Sequence, residues 1–137
     1  MYLKNAWYVA GWSREFDRKL AARKILGENV VFYRQQDGAI VALEDACPHR
    51  KLPLSKGSIR GDEVICGYHG LAFDRTGVCT ESPTQRGQTP RRAVVRSYPV
   101  VDRYRFTWIW MGDPELASPD AIIDIPEFDN PDWGYTD

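Results

Sequence analysis

The stretch KILGENVVFYRQQDGAIVAL, residues 24–43, decides the fold class. Its first part, 24–34, is rich in β-branched and aromatic side chains, which suit a pleated, half-buried strand. Gln36-Asp37-Gly38 then supplies an Asp-Gly turn and Ile40-Val41-Ala42-Leu43 runs back, so the stretch reads as a β-hairpin. The same pattern recurs downstream. Residues 63–66 and 71–74 form a second set, and Arg75-Thr76-Gly77 turns into Val78-Cys79-Thr80. A third set runs from 93–96 through Val100-Val101 to 105–111, where Phe106, Trp108 and Trp110 alternate with Thr107 and Ile109 as in a half-buried strand. Gly and Pro clusters at 82–84 and 87–90 lie between strands, and no segment holds a helical period over three turns. These features predict an all-β fold, an antiparallel sandwich or barrel.

The chain has 137 residues, which suits one globular domain with a sizeable core. Its net charge of −1 offers no basic field for nucleic acid or an anionic membrane. No apolar run approaches the roughly 20 residues of a membrane span. The opening MYLKNAWYVAGW has neither the apolar core nor the cleavage site of a signal peptide. Three Cys is an odd count, which argues against a disulfide framework and fits a reducing, cytoplasmic compartment. After Gly112 the composition turns rich in Pro and acid, through Asp113-Pro114, Ser118-Pro119, Ile125-Pro126 and Asn130-Pro131. A domain over 1–112 is expected, followed by a linker or tail over 113–137 lying across its surface.

The residues that carry chemistry are Cys47-Pro48-His49 and Cys66-Gly67-Tyr68-His69-Gly70, with 16 residues between His49 and Cys66. Each loop offers one soft thiolate and one imidazole. Both His of the chain and two of its three Cys fall inside this pattern. Three readings fit these residue types. The Cys can be small buried hydrophobes beside surface His. The four side chains can hold a structural zinc, although zinc loops usually begin with two Cys two residues apart. They can also hold a [2Fe–2S] cluster, with two Cys on one iron and two His on the other.

Cys-x-His followed by Cys-x-x-His at this separation is the Rieske signature, and CPHR with CGYHG resembles its oxygenase branch. The opening NAWYVAGW, the segments FYRQQDG and VALEDACPHR, and the closing WIWMGDP resemble the Rieske non-haem iron aromatic-ring oxygenases, in particular the oxygenase components of vanillate O-demethylases and related enzymes. The resemblance implies a Rieske-type antiparallel β-sandwich with a two-loop cluster-binding subdomain over about 45–80. It implies Cys47, His49, Cys66 and His69 as metal ligands, and Arg50, Gly67, Tyr68 and Gly70 around the cofactor. Arg50 can face the reduced cluster or a partner's acid, or make an ordinary surface ion pair. Tyr68 is expected to pack over the cluster, and Gly67 and Gly70 to let backbone amides approach it or simply to form turns. Cys79 is expected to be a buried strand residue.

Replacing two thiolates by neutral imidazoles removes negative charge, which places Rieske potentials at roughly −150 to +300 mV against about −400 mV for plant-type ferredoxins. Respiratory Rieske proteins add a disulfide between the loops, where this chain has Leu52 and Tyr68. They also set Ser and Tyr hydroxyls against the cluster sulfurs, where this chain has Leu71 and Phe73. Without those hydrogen bonds the potential should lie near the low end.

The resemblance further implies a reductase that passes electrons from NAD(P)H, a mononuclear non-haem Fe(II) held by two His and a carboxylate, and neighbouring subunits in a trimer. Both His of this chain are committed to the cluster, so no catalytic residue is assigned within it. The expected function is one-electron transfer as the N-terminal part of an oxygenase that monooxygenates or demethylates aromatic compounds, an oxidoreductase. The alternative is a free-standing Rieske ferredoxin, a reversible electron carrier.

Overall fold

The computed structural model describes residues 5–47, 52–67, 70–81, 94–118 and 121–122. Three antiparallel sheets build the fold. The first places β1 (Ala6–Trp12) beside β11 (Phe106–Met111) and β10 (Val100–Arg103). The second has the order β2 (Ala21–Ile25), β3 (Glu28–Arg34), β4 (Ile40–Glu44), β9 (Ser97–Tyr98). The third runs β5 (Ser58–Arg60), β6 (Glu63–Ile65), β7 (Ala72–Phe73), β8 (Cys79–Glu81). The antiparallel all-β architecture expected from the strand pattern is therefore present. Among the described residues no helix is long and apolar enough to cross a membrane.

The second sheet is the middle layer, because both of its faces are covered. Val31, Tyr33, Val41 and Leu43 pack with Leu54, Val64, Leu71 and Phe73 from the third sheet and its loops. On the opposite face Val30, Phe32 and Ala42 pack with Phe16, Tyr98, Ile109 and Met111. This explains the unbroken apolar run at 30–33: alternate side chains enter different cores, and all four are fully buried. Each such side chain is worth about 1.5–3 kcal/mol of burial.

Residues 24–34 do not form one strand. Leu26 and Gly27 both adopt left-handed backbone (φ 50° and 79°), and Ile25 pairs with Glu28 across them. A two-residue turn of this kind matches the twist of the strands it joins, and Gly27 supplies the conformation at no steric cost. The run is thus the β2–β3 hairpin, and the expected hairpin through Asp37-Gly38 follows as β3–β4.

The alternation in β11 is present with its smaller residues inward. Thr107, Ile109 and Met111 are completely buried, whereas Phe106 and Trp108 lie on the partly exposed face. There Trp12 stacks on Phe106 at 4.4 Å, and Trp7 meets Trp110 edge-on at 5.4 Å. The chain leaves β11 across the same sheet. Trp110 Nε1 donates to the Asp113 carbonyl (2.7 Å) and Trp7 Nε1 to that of Ser118 (2.7 Å). Ile122 is also buried, so the Pro- and acid-rich stretch contacts the domain at Ser118 and again at Ile122.

One ionic cluster ties the first two sheets together. The Asp102 carboxylate accepts from Arg34 Nη1 and Nη2 (2.9 and 3.1 Å), Ser13 Oγ (2.8 Å) and Thr107 Oγ1 (2.8 Å). Arg34 also donates to the main-chain carbonyls of Ser13, Phe16 and Gly38. Burial works to raise the Asp102 pKa, but the hydrogen bonds from Arg34, Thr107 and Ser13 outweigh it and hold the carboxyl below its ordinary range. A carboxyl lowered in the folded state stabilises above its unfolded pKa of about 3.9, and that stability is lost as pH falls through the lower folded value. Asp102→Ala should therefore cost about 1–3 kcal/mol at neutral pH in chemical denaturation. The gap to the parent protein should narrow on acidification below about pH 4, and a gap unchanged at about pH 2 would contradict the assignment.

Candidate metal centre

The first loop leaves the end of β4 and the second leaves the end of β6, and they repeat one backbone device. Cys47 N donates to the Leu52 carbonyl at 2.7 Å, and Cys66 N to the Leu71 carbonyl at 2.8 Å. Each Cys thus closes a loop on the residue five positions ahead of it, with His49 or His69 inside the closed segment. The second loop is tightened further by Gly70 N on the Cys66 carbonyl (3.1 Å), with Gly70 at a φ of 72°.

Both thiols lie in the core between the middle sheet and the third sheet. Cys47 and Cys66 are each 2% exposed, in one cluster with Leu54, Leu71 and Phe73. No disulfide joins Cys47, Cys66 or Cys79. Cys79 opens β8 opposite Phe73 and is buried, as a strand residue of this kind should be. Leu71 and Phe73, the positions where respiratory relatives carry hydroxyls, are fully buried. The pocket around the two thiols is therefore apolar at those points.

The loops meet by backbone contact that only glycine permits. A Cβ on Gly57 would collide with the Ile65 carbonyl, and one on Gly67 would sit 3.2 Å from the Lys56 carbonyl. The limb leaving the first loop thereby lies directly against the limb entering and leaving Cys66. Beside this contact, Leu52, Pro53, Lys56 and Gly67 line a hollow of about 260 Å³. The base of the first loop is closed by Asp45, which is buried and accepts from Ser55 N and Ser55 Oγ, both at 2.7 Å. Asp45 N in turn donates to the Asn29 carbonyl on β3 (3.0 Å).

The third sheet is held to the middle one through its turns. Tyr33 Oη donates to the Asp62 carbonyl (2.9 Å) and Gln36 N to Asp62 Oδ1 (2.7 Å). At the other end Val95 N donates to the Gly77 carbonyl (2.8 Å) and Ser97 Oγ to that of Arg75 (3.0 Å). Burial, reinforced by Asp62, pushes the Tyr33 phenol well above its ordinary pKa, so it stays protonated as the donor of this contact.

Of the residues singled out from sequence, Cys47, Cys66, Gly67 and Gly70 are placed together in these two loops. His49, Arg50, Tyr68 and His69 lie outside the described residues. Among the described residues no three His, Cys, Asp or Glu side chains gather at one point. The donor set that is described fits an iron–sulfur cluster. Two soft thiols sit in an apolar pocket at the mouths of matching loops, and a buried thiolate is favoured when a metal neutralises it. Sequence reasoning missed Asp45, Ser55 and Gly57. The signals were an acid flanked by core residues just before a ligand loop, and a Gly at the loop's exit.

The Rieske [2Fe-2S] domain family matches residues 6–99. This chain belongs to that family. Within it, the Rieske chain is 48% identical to the iron-sulfur subunit of the toluene-4-sulfonate monooxygenase system of Comamonas testosteroni, over 97% of this chain and 38% of the relative. It is 46% identical to the vanillate O-demethylase oxygenase subunit of Pseudomonas sp. (strain HR199 / DSM 7063), over 98% of this chain and 38% of the relative. The crystal structure of apo dicamba monooxygenase superposes with a TM-score of 0.90 at 45% identity, covering 95% of this chain and 40% of that one. The Rieske chain therefore spans about two fifths of the length of these relatives. The Rieske-type sandwich expected from the motif is the fold observed.

Gly57 provides a direct check on the docking of the two loops. Gly57→Ala must push the first loop off the Ile65 carbonyl, at a cost of about 1–3 kcal/mol in chemical denaturation. A variant as stable as the parent would mean that the loops are not in contact there.

Proposed function

We propose that this Rieske chain performs one-electron transfer through a [2Fe–2S] cluster held by Cys47 and Cys66 on one iron and His49 and His69 on the other. The observation that carries the reading is the matched pair of loops, each closed by a Cys amide on the carbonyl five residues ahead and each aiming a buried thiol into one apolar core. When bound, the cluster supplies a one-electron store whose potential rises as anionic ligands are replaced by neutral ones. The chain's own contribution is burial and restraint. Cys47 and Cys66 enter from the core side, and Leu71 and Phe73 withhold hydroxyl donors from the sulfurs. Gly67 and Gly70 keep the second loop tight, and Arg50 and Tyr68 flank the two histidines in sequence. Without hydroxyl donors the negative charge on sulfur is less stabilised, which favours a low potential.

In the wider reading, residues 1–112 form the Rieske unit and 113–137 lead away from it. The unit serves an oxygenase component that monooxygenates or demethylates an aromatic compound, in the manner the relatives' names describe for toluene-4-sulfonate, vanillate and dicamba. An NAD(P)H-dependent reductase supplies the electrons in the cytoplasm, and the acceptor is a mononuclear iron outside this chain, in a trimer of oxygenase subunits. That iron requires two further His and a carboxylate. Both His of the present sequence are already assigned.

Anaerobically purified protein should be red-brown and contain two irons and two acid-labile sulfides per chain. Its midpoint potential by protein-film voltammetry should lie near the low end of the Rieske range, around −150 mV. A value above about +100 mV would contradict the role given to Leu71 and Phe73. Cys47→Ala and Cys66→Ala should each abolish the cluster, and His69→Cys, where the cluster survives, should lower the potential by adding negative charge. A colourless protein carrying one zinc per chain would overturn the redox reading.

A further inference from the structure

The first ligand loop departs from β4 and rejoins the sheet framework at β5, and Cys47 forms no disulfide to close it. Its base is nevertheless closed. The buried Asp45 carboxylate takes both the amide and the hydroxyl of Ser55, each at 2.7 Å, across a span of ten residues that contains Cys47 and His49. Bonds to a carboxylate are charge-assisted and about twice as strong as neutral ones. Asp45 itself is anchored to the middle sheet through its amide on the Asn29 carbonyl (3.0 Å). Ser55 lies in the short 3-10 turn Leu54–Lys56, whose Leu54 is fully buried and whose Lys56 carbonyl lies against Gly67 in the second loop. A continuous series of contacts thus runs from β3 through Asp45 and Ser55 to the limb that flanks Cys66.

We propose that Asp45 is a positioning residue for the cluster: its paired bonds to Ser55 close the first ligand loop and hold it against the second, the restraint that a disulfide gives the respiratory relatives. The proposal rests on the reading of Cys47 and Cys66 as cluster ligands. Its physical basis is loop entropy. A ten-residue loop free at its base samples many conformations, and closing it beforehand removes most of that cost from cluster retention. Asp45 touches neither iron nor sulfide in this account. It acts through the loop that carries Cys47.

The test uses the cluster-loaded protein and three variants. The rate of bleaching in excess iron chelator is compared with global unfolding followed by far-UV circular dichroism. Asp45→Ala should release the cluster roughly 10- to 100-fold faster under conditions where the fold remains intact, since two charge-assisted bonds at the loop base are lost. Asp45→Asn can still accept from the Ser55 amide and donate to its hydroxyl, through neutral bonds about half as strong, so it should retain the cluster better than Asp45→Ala but less well than the parent. Ser55→Ala keeps one of the two bonds and should fall between, which decides the matter if Asp45→Ala fails to fold. Release at the parent rate in both Ala variants would overturn the proposal, as would faster release only where circular dichroism shows unfolding. A parent protein without two irons and two sulfides would instead refute the cluster reading itself, so the two failures are distinguishable.

Discussion

A strand with no solvent-facing side is the constraint on which the rest of this molecule depends. Residues 30–33 on β3 send Val30 and Phe32 into one core and Val31 and Tyr33 into another, so the middle sheet must be covered twice. One cover is the β1–β11–β10 sheet, fastened by Arg34 and Asp102. The other is the small sheet that carries Cys66 in its hairpin and receives Cys47 from β4. Because both thiols share the second core with Val31, Tyr33 and Leu43, the two Cys loops are continuous with the hydrophobic interior. On the proposed function, metal retention would be coupled to folding through that interior.

The loops themselves illustrate how a chain with two disulfide-forming positions filled by Leu52 and Tyr68 can still hold two segments in register. Backbone amides close each loop, glycines at 57 and 67 allow main chain to touch main chain, and a buried carboxylate spans the base. Each device is a hydrogen bond or a contact, and none is covalent. The apolar lining from Leu71 and Phe73 has an electrostatic consequence as well. On the proposed function it would leave the sulfur end of the cluster without hydroxyl donors, which favours a low potential.

Much of this was legible in the sequence, for definite reasons. Asp37-Gly38 between two apolar runs specifies a hairpin because few other residues accept that turn. The spacing of two Cys and two His marks the family, because Cys-x-His followed by Cys-x-x-His at this separation is the Rieske signature and the family match spans residues 6–99. What was not legible depended on partners distant in the chain. The β2–β3 turn hid inside an apolar run, since Leu26 shows no turn preference and only Gly27 marks it. β1 is not marked as a strand by its own sequence, and its partner, β11, lies about a hundred residues away. Phe106 and Trp108 lie on the partly exposed face because smaller Thr107, Ile109 and Met111 fill the narrow space above the middle sheet. Asp45 and Ser55 carry only a weak signal in sequence, and it is the burial of Asp45 and the bonds the two share that distinguish them.

The central claim is the asymmetry of the site, with sulfur donors on one iron and nitrogen donors on the other. Pulsed electron paramagnetic resonance of the dithionite-reduced protein, grown with ¹⁵N-labelled histidine, addresses it directly. The chain contains only His49 and His69, so two strong ¹⁵N couplings can have no other source. Two such couplings of comparable size should be seen on the reduced iron. A paramagnetic centre with no histidine coupling would contradict the account.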